Sequence, residues 1–161
     1  LRPGIAFASP ALDEQEVAVV ELINAHRAQH GLPCLSVSPT ANVPADYMSR
    51  AMGEQGFFAH NEPPCEGTAP NQVCTGRDPF ERMIDLGHEG WTTAGENLYA
   101  GSGLAAAAFE SWRNSPGHDA NMRNGAFTAM GIARVEVPGS EMRVYWSNVF
   151  SNHVDGSHDC N

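Results

Sequence analysis

Apolar residues recur with a helical period early in the chain and alternate with polar ones near its end. Val19, Leu22, Ile23 and His26 fall at i, i+3, i+4 and i+7, which places them on one face of a helix predicted from about 14 to 30. Asp13 stands as its N-cap, Glu16 completes a capping-box pattern, and Leu12 and Val17 occupy hydrophobic-staple positions. Gly31 ends this helix and Pro33 blocks its return. A second helix is predicted from about 39 to 55, with Ala45, Met48 and Met52 as its core stripe. Asp78-Pro79 opens a short third helix through Phe80, Met83, Ile84 and Leu86, and Gly87 stops it. The run from Thr93 to Ala100 suits a short strand. A fourth helix, about 104 to 114, carries Leu104, Ala105, Ala108, Phe109 and Trp112, and Trp112 is expected in the core. Ala133, Val135 and Val137 alternate with Arg134 and Glu136; after a Pro138-Gly139-Ser140 turn, Met142, Val144 and Trp146 alternate with Arg143, Tyr145 and Ser147. Residues 1–11 read as a loose lead-in, 61–77 as an irregular loop and 151–161 as a polar tail. Several helices with a late antiparallel hairpin predict an α+β fold, a single domain over 1–161 with its core at about 14–151.

Size and charge narrow the function. At 161 residues the chain can bury a real core. It has no apolar run of about 18 residues, so no membrane span is expected. A net charge of −10 argues against nucleic acid and anionic membrane surfaces as partners. The chain begins at Leu1 without a charged or apolar leader, which gives the expectation that any signal peptide has been removed. Four cysteines in a small acidic chain suggest disulfides formed in an oxidising compartment. Free thiols or a metal site are the alternatives, although no Cys-x-x-Cys pair favours a metal. Cys65 and Cys74 flank a Pro/Gly/Asn loop and can close it locally, which leaves Cys34 for Cys160.

Candidate chemistry gathers in three separated stretches: Gly56-Phe57-Phe58-Ala59-His60, Gly95-Glu96-Asn97-Leu98-Tyr99, and the run from Trp112 to His118. Two imidazoles and a carboxylate are the groups a transition-metal or acid/base site needs, but their spacing matches no short metal motif. Ser115 is placed as an N-cap, Pro116 as N1 and His118 as N3. The positive end of a helix favours neutral imidazole, the metal-binding form. Plainer readings stand beside these. His118 could be satisfied by backbone groups, His60 could be a buried histidine bonded to a neighbour, and Glu96 and Asn97 could tie a strand to a helix. Asn24 and Arg27, one turn apart, read as a solvated polar face on one view. His26 and His30 are expected at a surface or helix end, His88 exposed in a loop, and His153 and His158 in the tail.

The segments "FFAHN", "GENLYAG" and "SWRNSPGHDANM" resemble signatures of the CAP superfamily, the cysteine-rich secretory, antigen-5 and pathogenesis-related proteins. "LINAHRAQHGLPCLSVSP" upstream and "MGIARVEV…YWSNVF" downstream keep the family's order, and the match is to its bacterial, SCP-like branch. The resemblance implies a three-layer α-β-α sandwich around a small antiparallel sheet, with Asn24 and Arg27 bracing the fold. It also implies a central cleft of two histidines and two glutamates. His60, Glu96 and His118 match three of these; the fourth position, a glutamate in many eukaryotic members, is Ser115 here. Glu110, two residues before Trp112, is a poor substitute, because it points about 200° round the helix from that tryptophan. The cleft is thus His60, Glu96, Ser115 and His118, with His60, His118 and Glu96 as ligands for zinc or another divalent metal. The implied function is a secreted or extracellular binding or accessory module, at the periplasm or cell surface, and monomeric. Its partner would be a small apolar ligand, a divalent metal or an envelope component. The alternative is a metal-dependent hydrolase, a peptidase or esterase, using His60, Glu96 and His118 with an open water position. Against it, the chain has no His-Glu-x-x-His motif, and Ser115 with His118 on one helix makes no triad.

Overall fold

Asp13 starts the first helix in the way its sequence context predicts. Its carboxylate accepts the amides of Gln15 and Glu16 at 2.8 Å each, and Glu16 reaches back to the Asp13 amide at 2.7 Å. The protein is described by a computed structural model over residues 11–153, 155 and 160. The lead-in over 1–10 and His158 lie outside the described residues. The helices are α1 Glu14–Gln29, α2 Pro39–Gln55, α3 Pro79–Asp85, α4 Ala105–Arg113 and α5 Pro116–Met122. The strands are β1 Ser36–Val37, β2 Cys65–Glu66, β3 Val73–Cys74, β4 Ala94–Ala100, β5 Ala129–Glu136 and β6 Val144–Ser151.

The main sheet has the order β1-β5-β6-β4, antiparallel except where the two-residue β1 pairs parallel to β5. Helices α1, α4 and α5 lie on one face, and α2 and α3 on the other. The result is the expected three-layer α/β/α sandwich. Every residue of β6 is buried. Val144, Trp146 and Phe150 pack into the core shared with α1, α4 and α5, while Tyr145 and Val149 pack towards α2. Tyr145 and Ser147, the alternate positions of this strand, are as buried as Val144 and Trp146, because a strand covered on both sides need not alternate in hydropathy. It also explains why the hairpin strands, 129–136 and 144–151, extend beyond the alternating stretches.

Helix α2 lies close against the sheet. A Cβ on Gly131 would sit 2.2 Å from the Ala41 carbonyl carbon, so only glycine permits this approach. Ala45, Met48 and Met52 are fully buried, as their spacing predicts. Trp112 is fully buried, and its indole donates to the Leu98 carbonyl at 2.9 Å. Helix α3 follows its apolar residues only in part: Met83 is buried as expected, but Pro79 and Arg82 are buried beside it, while Phe80 and Ile84 are exposed.

Two disulfides form, Cys65–Cys74 and Cys34–Cys160. The first clips β2 to β3, so the 61–77 segment holds a small two-stranded ladder where an irregular loop was expected. Arg27 and Asn24 brace the fold and do not form a solvated face. Buried Arg27 donates to the carbonyls of Pro33, Met122, Asn124 and Phe127 at 2.8–3.4 Å. Asn24 exchanges two hydrogen bonds with the Leu35 backbone at 3.0 and 2.8 Å.

Two histidines are also corrected. His26 is buried, 2.7 Å from an Asp119 carboxylate oxygen. His88 is fully buried, its ring nitrogens each 2.9 Å from a hydroxyl, Thr40 on one side and Ser151 on the other. Each ring finds a partner from a distant element, which a local reading of the chain cannot see. His30 is exposed, as expected.

Candidate functional site

Glu96 sits on β4, in register with Val149 of β6, and is buried. A buried carboxylate needs compensation, and two groups supply it. Arg82 of α3 donates to Oε2 at 2.6 Å, and His60 Nδ1 lies 2.9 Å from Oε1. Arg82 also donates to the His60 carbonyl at 3.2 Å, so one guanidinium holds both partners. The network continues outward. Arg82 lies 3.8 Å from Glu62, which accepts from Arg77 at 2.6 Å and from the Tyr47 hydroxyl at 2.7 Å. Burial works to raise the Glu62 pKa, but the Arg77 and Tyr47 hydrogen bonds outweigh it and hold the carboxyl below its ordinary value.

His118 stands on the first turns of α5. Asn97 donates to its carbonyl at 3.0 Å, and Asn121 donates to the Asn97 side chain at 2.9 Å. Asn97 therefore does the structural work expected of it, tying β4 to α5. Burial first, and then the nearby His60, push the His118 pKa below the usual imidazole range. The ring is thus neutral at neutral pH. Its Nδ1 is buried without a hydrogen-bond partner. An unpaired buried donor is costlier than an unpaired lone pair at a ring nitrogen, so the proton belongs on Nε2.

His118 also lines a cavity of about 330 Å³ between the end of α2, β4, β6 and the clipped loop. Phe57, Phe58, Leu98, Tyr99, Met142 and Tyr145 supply most of its apolar wall, and Thr68, Ala69 and Gln72 of the loop close one side. Gln72 fixes that side by accepting the Phe58 amide at 2.8 Å.

The profile of the cysteine-rich secretory protein family, CAP, matches residues 20–150. The chain belongs to that family. The uncharacterized protein YkwD of Bacillus subtilis is 33% identical over 129 residues, covering 80% of this chain and 46% of YkwD. The crystal structure of an extracellular SCP-domain protein from Bacillus anthracis superposes with a TM-score of 0.68 at 25% identity, over 90% of this chain and 45% of that one. An outer surface protein of Borrelia burgdorferi shares the fold alone, with a TM-score of 0.70 at 16% identity over 90% of this chain and 98% of its own. The chain thus spans less than half the length of the two Bacillus proteins.

In this CAP domain the four cleft positions are not equivalent. His60 meets Glu96 at 2.9 Å and lies near enough to His118 to add to the lowering of its pKa by burial; Ser115 takes the N-cap position of α5, but its hydroxyl makes no capping bond. Glu110 is engaged at the surface with Arg113 at 2.7 Å and does not substitute for a fourth carboxylate. A metal-bound imidazole normally donates its second N–H to an acceptor that fixes the ring. His60 meets this condition through Glu96, leaving Nε2 free on a half-exposed side chain. His118 does not, because Nδ1 has no acceptor. Both oxygens of Glu96 are already engaged. Among the described residues no group of three or more His, Cys, Asp or Glu side chains is arranged to hold an ion. The donor set therefore does not make a metal centre here, and His60 alone is placed to offer an ion a ring nitrogen.

Sequence reasoning missed Arg82, Glu62, Arg77 and Tyr47. The one available signal was that Pro79, Arg82 and Met83 share a helix face, which becomes meaningful only when a buried carboxylate is known to wait there.

Proposed function

We propose that this CAP domain works outside the cytoplasm as a binding module for a small apolar ligand, held in the cavity beside His118. The carrying observation is the cavity itself: about 330 Å³, walled by aromatic and aliphatic side chains, with one imidazole in its lining. That volume is at the lower end of the range of about 300–1,000 Å³ typical of small-molecule sites, and an apolar wall with few polar groups is their usual character. Half-exposed Phe58 and Met142 stand in the same lining, where an entering ligand would cover them. Two disulfides, and the extracellular and outer-surface names of the structural relatives, support the location. Among the described residues no helix is long and apolar enough to cross a membrane.

The test is displacement of a fluorescent apolar probe from wild type and from Ala100→Phe, which places a ring inside the lining. The variant should lose binding while keeping its melting temperature. Binding that survives would move the ligand elsewhere, with the open groove between α1 and α4, lined by Leu22 and Leu104, as the next place to look.

A further inference from the structure

The lining of the cavity also restricts the ligand's polar end. The hydrogen-bonding group on the His118 ring is Nε2–H, a donor, because Nδ1 is buried and unpaired. A donor asks for an acceptor on the ligand. Both an alcohol and a carboxylate qualify, so charge must decide between them.

Among the described residues no arginine is free to receive an anion, and the chain contains no lysine. Each of the eight arginines described is committed. Arg27 serves backbone carbonyls. Arg50 pairs with Asp46, Arg77 with Glu62 and Asp85, and Arg82 with Glu96. Arg113 pairs with Glu110, Arg123 with Asp119 and Arg134 with Asp13. Arg143, next in the chain to the lining residue Met142, bonds Glu136 at 2.7 Å. The charged side chain in the lining is Glu141, an anion, in a chain of net charge −10. A carboxylate entering here would leave water without gaining a counter-charge and would meet Glu141.

We propose that the cavity takes a medium-chain amphiphile with an uncharged, hydrogen-bond-accepting head, such as an alcohol, ester or amide, and rejects the matching carboxylate. The claim rests on the cavity being the binding site, and the experiment separates the two. Decanol and decanoate are titrated at neutral pH into the wild-type chain, Glu141→Gln and His118→Phe, with competition against a fluorescent apolar probe as readout. Wild type should bind decanol at least tenfold more tightly than decanoate. Glu141→Gln should narrow that ratio several-fold, and added salt should narrow it too, since a screened anion repels less. His118→Phe, checked for unchanged melting, should weaken decanol several-fold and bring it towards a plain alkane. Decanoate binding as tightly as decanol, or a ratio unmoved by Glu141→Gln, overturns the headgroup assignment while leaving the cavity as the site. If neither compound displaces the probe, the cavity reading and the headgroup assignment fall together.

Discussion

Arg82 and Glu96 form an ion pair of 2.6 Å in which both side chains are almost wholly removed from solvent. The arginine comes from α3 and the glutamate from β4, so the pair fastens a helix to the edge of the sheet directly beneath His60. A buried pair of this kind adds little net stability over an apolar pair, but removing one partner strands the other. Arg82→Met should therefore destabilise by about 3–5 kcal/mol, since Glu96 is left buried without its counter-ion. The double variant Arg82→Met with Glu96→Gln should recover part of the loss. Urea denaturation of the three proteins reads this directly. A single variant with wild-type stability would mean that the pair is more hydrated than its burial implies.

His88 sets the acid limb of stability. Burial is the main cause of its pKa of about 4, with Asp155 opposing the shift and His153 adding to it. His153 packs its ring 6.0 Å from that of His88, and Asp155 accepts the Thr40 amide at 2.9 Å beside it. Between the ordinary imidazole pKa and about 4 the unfolded chain holds a proton at this position that the folded one refuses. Stability must then rise with pH across that window and fall as the pH drops through it. The full loss is about 3 kcal/mol, from about 1.4 kcal/mol per pKa unit. His88→Gln should be less stable at neutral pH but flatter on the acid side. Denaturation midpoints at several pH values from about 7 to 4 decide the matter. The same slope in the variant would assign the acid limb to carboxylates such as Asp155, whose pKa is held below its ordinary value by Ser38 and Thr40 against the opposing pull of burial.

Arg82 and His88 also mark where the sequence stopped being legible. The Asp13 and Asp78 caps, the helix spans and the stripe of Ala45, Met48 and Met52 follow from local pattern, and they appear as predicted. Cys65 and Cys74 could be paired because a turn-rich loop separates them, and their bond left Cys34 with Cys160. Burial of Arg82 at the expense of Phe80 and Ile84 runs against hydropathy. It becomes favourable only when Glu96, Glu62 and the His60 carbonyl are brought from other elements to receive the guanidinium. His88 is similar: its partners, Thr40 and Ser151, lie on α2 and β6, and nothing near it in the chain announces either. The members of the cleft were visible through the family resemblance, but the difference between His60 and His118 depends on which ring nitrogen has a partner, and only the folded chain shows that.

That difference makes the last prediction. The sequence led to the expectation that zinc would be held by His60 and His118 together, with Glu96 beside them. In the fold, His60 offers a free Nε2 backed by the Glu96 carboxylate. For His118 to coordinate through Nε2, its proton would have to move to Nδ1, where it would be buried with no acceptor. Zinc should thus bind weakly and depend on one imidazole. His60→Ala should remove the binding and Glu96→Gln should weaken it by about 10–100-fold, the usual cost of losing the group that orients a metal-bound histidine. His118→Ala should change it little. Calorimetric titration of zinc into the four proteins at neutral pH makes the comparison, with unchanged melting required of each variant. Equal loss on removing either histidine would restore the two-histidine centre and show that the His118 ring turns to find an acceptor. Binding untouched by either change would place the ion elsewhere, with His153 of the tail as the first candidate.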